Sequence, residues 1–149
     1  MEILWKRWPQ WKPVSKIGHG SYGSVYKAKL ADSDTDTFSA IKVISVPANE
    51  AELYSIESEG YSTDQAREYF KKVAMAYIRE NEVLELLRGE TNVVSLDDCY
   101  MEEKENGAGY TIFIRMELLT PLTHWLKNNS IDEKSVVKLG IDICTALEA

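Results

Sequence analysis

The chain has 149 residues, 44% of them hydrophobic and 28% charged, with a formal charge of −7 at neutral pH. That composition suits one domain with a sizeable core and excludes a disordered or collagen-like chain. The acidic balance argues against nucleic acid as a partner, because neutralising phosphates takes a basic face.

The opening segment is aromatic and basic. Trp5, Trp8 and Trp11 recur every third residue, and Pro9 and Pro13 forbid a regular helix through them. Residues 1–13 read as a tether strapped across the first sheet, with a partner-docking strip as the alternative. Residues 1–7 carry charge too early and too often for a signal peptide, and no uncharged apolar run nears the roughly 18 residues of a membrane helix.

Residues 14–44 are rich in Val, Ile, Tyr and Phe with period-2 character, which predicts three antiparallel strands. Their turns fall at residues 18–23 and 31–37. The second turn, Asp32-Ser33-Asp34-Thr35-Asp36, imitates the start of a calcium loop, but Thr37 stands where the turn-making Gly belongs and Val43 where the bidentate Glu belongs. It reads as a solvated hairpin tip.

Residues 45–62 hold Glu50, Glu52, Glu57 and Glu59 with no Lys or Arg, and read as a long mobile loop with room for one helical turn. Ser62 and Gln65 then have capping-box spacing, which predicts a long helix to Arg88 stopped by Gly89. Two further strands are expected at residues 93–101 and 110–116, joined by a turn containing Asn106-Gly107. After Pro121, helices are expected at residues 122–127 and from a cap at Ser130 and Glu133 to the end of the chain. Cys99 and Cys144 fit no C-x-x-C spacing and are too few for a disulfide scaffold, so a reducing cytoplasm is the expected setting.

Chemistry first enters at Gly18-His19-Gly20-Ser21-Tyr22-Gly23-Ser24-Val25, a G-x-G-x-x-G followed by x-V. A dinucleotide fold needs a helix opening at the third glycine and an acid about 20 residues on. Here residues 25–30 alternate like a strand and Lys42 stands where that acid is sought. The pattern is therefore a strand–loop–strand cover, in which missing β-carbons let backbone N–H groups approach phosphate oxygens. Tyr22 at the tip is suited to shielding phosphates from water, and His19 reads as a solvent-facing loop residue rather than a catalytic base.

Lys42 ends Ser39-Ala40-Ile41-Lys42 and shares a strand face with Ala40 by the period-2 rule. A lysine on a buried face needs an anionic partner. On the long helix, Val73, Tyr77, Leu84 and Leu87 cluster on one side with Glu80 among them, so a Lys42–Glu80 ion pair is expected; the alternative is a Glu80 that reaches out to solvent or neutralises.

With these residues assembled, residues 14–149 resemble the N-terminal half of a eukaryotic-type protein kinase domain. The resemblance rests on Ile17-Gly18-x-Gly20-x-Tyr22-Gly23-x-Val25, Ala40-Ile41-Lys42, Arg79-Glu80-x-x-x-Leu84, Asn92-Val93-Val94-x-Leu96 and Met116-Glu117-Leu118-Leu119. It implies an α+β fold: a kinase-like N-lobe with hinge at residues 14–119, a five-stranded antiparallel sheet with one long helix, then two helices of an incomplete C-lobe at residues 120–149. It implies an adenine slot roofed by Ile17, Val25 and Ala40, with Met116 as gatekeeper. The Glu117 carbonyl and Leu119 amide become hinge partners, and residues 18–25, Ser21 and Ser24 included, cover the phosphates. Lys42 and Glu80 take the ion-pair roles, and Leu84 and Leu96 resemble members of the hydrophobic column between lobes.

The departures bear on function. The stretch before Asn92 lacks the frequent His-Pro, and Thr120-Pro121-Leu122 has no acid where many relatives hold the ribose. No His-Arg-Asp loop with its Asn and no Asp-Phe-Gly occurs, so the base and the Mg²⁺ ligands are missing. The expectation is a truncated piece of an ATP-dependent protein Ser/Thr kinase, itself inactive, with no metal site of its own and neither ATP nor Mg²⁺ held tightly. ATP and a protein substrate are the partners implied for the whole protein. The rival expectation is a pseudokinase or scaffolding module with the same fold and no phosphoryl transfer. Truncation would also bare apolar positions at residues 122–149, which are expected to pair with a second copy or fold back on the sheet.

Overall fold

The computed structural model describes residues 5–20, 23–105, 107 and 109–148. Its elements run β1 (Trp11–Gly20), β2 (Gly23–Leu30), β3 (Phe38–Val46), α1 (Glu50–Ser58), α2 (Thr63–Leu86), β4 (Leu96–Glu103), β5 (Tyr110–Met116), α3 (Leu122–Trp125) and α4 (Glu133–Glu148). The fold is α+β, with one antiparallel sheet in the order β1-β2-β3-β5-β4.

Strand alternation gives the sheet two apolar faces, and each has its own cover. One face presents Ile44, Val46, Tyr110, Ile112 and Ile114 to Ala66, Phe70 and Ala74 of α2. The other presents Ala28, Ile41, Tyr100 and Phe113 to Trp5, Trp8 and Trp11. The Trp8 amide donates to the Trp5 carbonyl at 2.9 Å and the Trp11 amide to the Trp8 carbonyl at 3.0 Å. These successive three-residue turns eclipse side chains three apart, so all three indoles point the same way. All three are buried, which leaves none exposed to dock a partner.

Polar contacts pin this strap at its edge. The Trp8 Nε1–H donates to Asp98 at 2.8 Å, and Arg7 reaches the same carboxylate at 3.3 Å. Trp8 meets Tyr100 edge-on, Tyr100 stacks on Phe113, and the Arg115 guanidinium lies over Trp8 and Trp11. The 32–36 tip is tied by its own hydroxyls and by Lys29, which donates to Asp36 at 2.6 Å and holds that carboxyl below its ordinary range.

Where a long mobile loop is expected at residues 45–62, the chain forms α1 instead. Asn49 accepts from the Glu52 amide at 3.0 Å, while the Glu52 carboxylate accepts from the Ala48 amide at 2.7 Å. This reciprocal cap, with Glu50 and Glu52 in the first turn, turns an apparent charge run into dipole-favoured acids. Leu53 and Ile56 then reach the α2-side core. The Ser62–Gln65 box opens α2 as expected. The helix ends at Leu86, before the expected Arg88, because Arg88 turns back to donate to the carbonyls of Leu96 and Asp97.

β4 begins at Leu96 rather than Val93, after Asn92 at φ 66° has bent the chain. Of the expected Asn106-Gly107 turn, Asn106 lies outside the described residues. α3 stops at Trp125, short of residue 127. The cap of α4 is Asp132, which accepts from the Ser135 amide at 2.8 Å; Ser130 sits too far upstream of the first turn. Neither α3 nor α4 buries a residue, so the expected fold-back onto the sheet is not seen. No helix among the described residues is long and apolar enough to cross a membrane.

Candidate nucleotide site

Backbone register brings the singled-out residues into rows. Gly18 pairs with Val25, Val25 with Lys42, Lys42 with Ile114 and Ile114 with Cys99, one row across all five strands. The neighbouring row joins Ala40, Met116 and Leu96. Directly opposed residues share a face. Val25, Ala40, Lys42 and Met116 therefore stand on the α2 side, with Ala40 buried and Ile17 about half exposed at a bulge of β1.

Beneath that row is a cavity of about 420 Å³ between β3, β5 and α2. Lys42, Glu80, Asn81 and Tyr77 supply its polar wall; Ile44, Leu84, Ile114 and Met116 supply the apolar one. The expected Lys42–Glu80 ion pair is not closed. Among the described residues no ion pair within 4.0 Å includes either side chain.

The cause lies in the rotation of α2. Its buried positions are Ala66, Phe70, Ala74 and Asn81. At 100° per residue their mean direction is roughly 60° away from the Val73–Tyr77–Leu84–Leu87 stripe. Two alanines allow close approach to the sheet around the buried Phe70, and Val73, Tyr77 and Leu84 of the stripe pack against the edge of the same core, only partly buried. Asn81 takes the buried polar place, donating to the Tyr77 carbonyl at 2.7 Å, and Glu80 is left exposed on the flank.

The β1–β2 ladder runs out to the pair Gly20 and Gly23; Ser21 and Tyr22 lie outside the described residues. Gly23 has φ 105°, and a β-carbon there would run into the Val43 carbonyl, so the fold itself demands this glycine. Among the described residues nothing lies within 4 Å of a β-carbon placed at Gly20, so their packing gives no reason for its missing side chain. His19 is exposed, with Nδ1 3.4 Å from both Lys16 Nζ and Ser24 Oγ. A second cavity of about 250 Å³ opens beside His19, Ser24, Tyr26 and Val43 on the strap side of the sheet. Loop and Lys42 thus share a row but not a cavity.

Past β5 the chain is held by residues that sequence patterning passed over. The buried Ser39 hydroxyl donates to the Met116 carbonyl at 2.7 Å. The Glu117 amide donates to the Ser95 carbonyl at 3.0 Å, and the Glu117 carboxylate accepts from the Ser95 amide at 2.7 Å. A serine in an otherwise apolar strand was the available signal for Ser39. Leu119 is exposed. Cys99, in the Lys42 row, has its thiol pushed up to about 11 by burial and then by the neighbouring Asp98 charge.

The chain matches no model of a known protein family and no curated protein.

Proposed function

We propose that this chain is the ATP-binding half of a protein kinase that transfers the γ-phosphoryl group to protein Ser/Thr hydroxyls. The observation that carries the reading is the single row of Gly18, Val25 and Lys42, with Glu80 across the cavity beneath it. Glycine at position 20, which packing does not require, supports backbone approach to phosphates. In this reading Ile17, Val25 and Ala40 cover the adenine, Met116 bounds the slot, and the Glu117 carbonyl and Leu119 amide meet its edge. Lys42 neutralises phosphate charge, and Glu80 would hold Lys42 straight once α2 rotates inward.

Mg²⁺ supplies charge neutralisation between phosphates in such transfers. No group of three His, Cys, Asp or Glu side chains comes together among the described residues, and no step is derived through the ion. The 149 residues alone should hold ATP at best at roughly millimolar Kd, near −4 kcal/mol, and transfer nothing.

The open Lys42–Glu80 pair favours a second reading, a kinase-fold interaction module without transfer. The test is labelled-phosphate transfer to a Ser/Thr protein by a polypeptide that continues through a catalytic loop, with Lys42→Met as control. Transfer lost in Lys42→Met supports the first reading; ATP binding without transfer supports the second. An NMR titration of this chain in which ATP up to tens of millimolar moves no amide near Val25 or Lys42 would sink the first reading and leave the second standing.

A further inference from the structure

We infer that Ser39 and the Glu117 side chain are positioning residues that aim the backbone leaving β5 at the nucleotide. The inference rests on the nucleotide-cleft reading and deepens it.

One peptide group decides the matter. The last ladder pair of β4 and β5 is Leu96 with Met116, and the next peptide, between Met116 and Glu117, has left regular pairing. Its carbonyl accepts from the Ser39 hydroxyl at 2.7 Å, and its N–H donates to the Ser95 carbonyl at 3.0 Å. The plane is thus gripped at both ends, by β3 on one side and by the approach to β4 on the other. The Glu117 carboxylate then closes a ring by accepting from the Ser95 amide at 2.7 Å, standing in for the backbone carbonyl that a continued ladder would supply. With the amide and the side chain of Glu117 both tied to Ser95, the backbone from which its own carbonyl projects is held in place. That carbonyl is the atom the reading gives to adenine.

Burial separates the Ser39 bond from ordinary surface bonding. Ser39 is one of two buried polar residues among those described, and its hydroxyl is used on this one carbonyl. Replacing it with Ala leaves the Met116 carbonyl without that donor while removing no apolar contact. Glu117 is exposed, so its substitution disturbs no core.

The test compares ATP with tripolyphosphate, which has phosphates but no base, in NMR titrations of the 149-residue chain. In Glu117→Ala and in Ser39→Ala, ATP should bind about tenfold more weakly, the effect of one net hydrogen bond, with tripolyphosphate affinity unchanged. Glu117→Gln keeps an acceptor oxygen and should restore most of the loss. Equal ATP affinity in all variants overturns the inference while leaving the cleft reading intact. So does a parallel loss of ATP and tripolyphosphate, which marks a merely structural role. If Glu117→Ala fails to fold, Ser39→Ala carries the comparison by itself, with Glu117→Gln expected to bind both ligands as the unsubstituted chain does. If the unsubstituted chain binds no ATP at all, the cleft reading itself falls and this inference falls with it.

Discussion

Lys42 on β3 and Glu80 on α2 line the same cavity, yet no ion pair within 4.0 Å joins them. An exposed carboxylate in no close ion pair contributes little to stability. Glu80→Gln should therefore shift the unfolding free energy by less than about 0.5 kcal/mol in urea denaturation. A loss above about 1.5 kcal/mol would mean that the pair is closed in solution, since charge-assisted hydrogen bonds reach that size.

The glycines of the β1–β2 turn should separate by role. Gly23→Ala forces a β-carbon against the Val43 carbonyl at a left-handed φ, and should cost about 1–3 kcal/mol. Gly20→Ala enters open space and should leave the unfolding midpoint nearly unchanged. Equal effects in the two variants would contradict the register of this hairpin.

The strap is a part of the core rather than an appendage. Trp8 is buried, bonded to Asp98 and packed edge-on against Tyr100. Trp8→Ala should cost about 3–5 kcal/mol, as other buried aromatic truncations do. A denaturation midpoint that does not move would show that residues 5–11 are undocked in solution.

The two thiols should differ in reactivity. Cys144 is exposed, whereas Cys99 is half-buried with its thiol pushed up to about 11 by burial and then by Asp98. At pH 8 a thiol reagent should modify Cys144 first. A folded value above the ordinary 9.0 means the fold holds that proton more tightly than the unfolded chain. The stability it contributes is therefore fully present below pH 9.0 and lost as pH rises from there towards about 11. Cys99→Ala should flatten the alkaline slope of urea midpoints over that window; an unchanged slope would refute the assignment.

The tail presents Leu122, Trp125, Val136, Val137, Ile141 and Leu147 to solvent from α3 and α4. Each such side chain gains about 1.5–3 kcal/mol on full burial, a strong drive to associate. Light scattering should show concentration-dependent self-association of the chain and none for a version ending at Thr120. Two monomeric samples across the same range would exclude the tail as the cause.

Much of this architecture was legible from residue order alone. Period-2 alternation announced the first three strands, because each position on a strand can choose only between two faces. The Ser62–Gln65 box opened α2, since a cap is a contact between neighbours in sequence. The same period put Lys42 beside Ala40 on one face. Where local chemistry was present but read as composition, the reading failed: the acids of residues 50–59 looked like a solvated loop until the Asn49–Glu52 cap accounted for them.

Tertiary structure alone decided which way α2 faces. A helix has a continuous choice of rotation, and large apolar residues at Val73, Tyr77, Leu84 and Leu87 suggested one. The sheet turned the helix so that Ala66, Phe70 and Ala74 are fully buried, because the alanines let the backbones approach closely, while Val73, Tyr77 and Leu84 pack only partly buried at the edge. That rotation of roughly 60° moved Glu80 from the contact line to its flank and put Asn81 in its place. The grip of Ser39 and Ser95 on the Met116–Glu117 peptide was likewise beyond the sequence. Those residues lie 77 and 22 positions from their partners, and only the folded sheet brings them within hydrogen-bond reach.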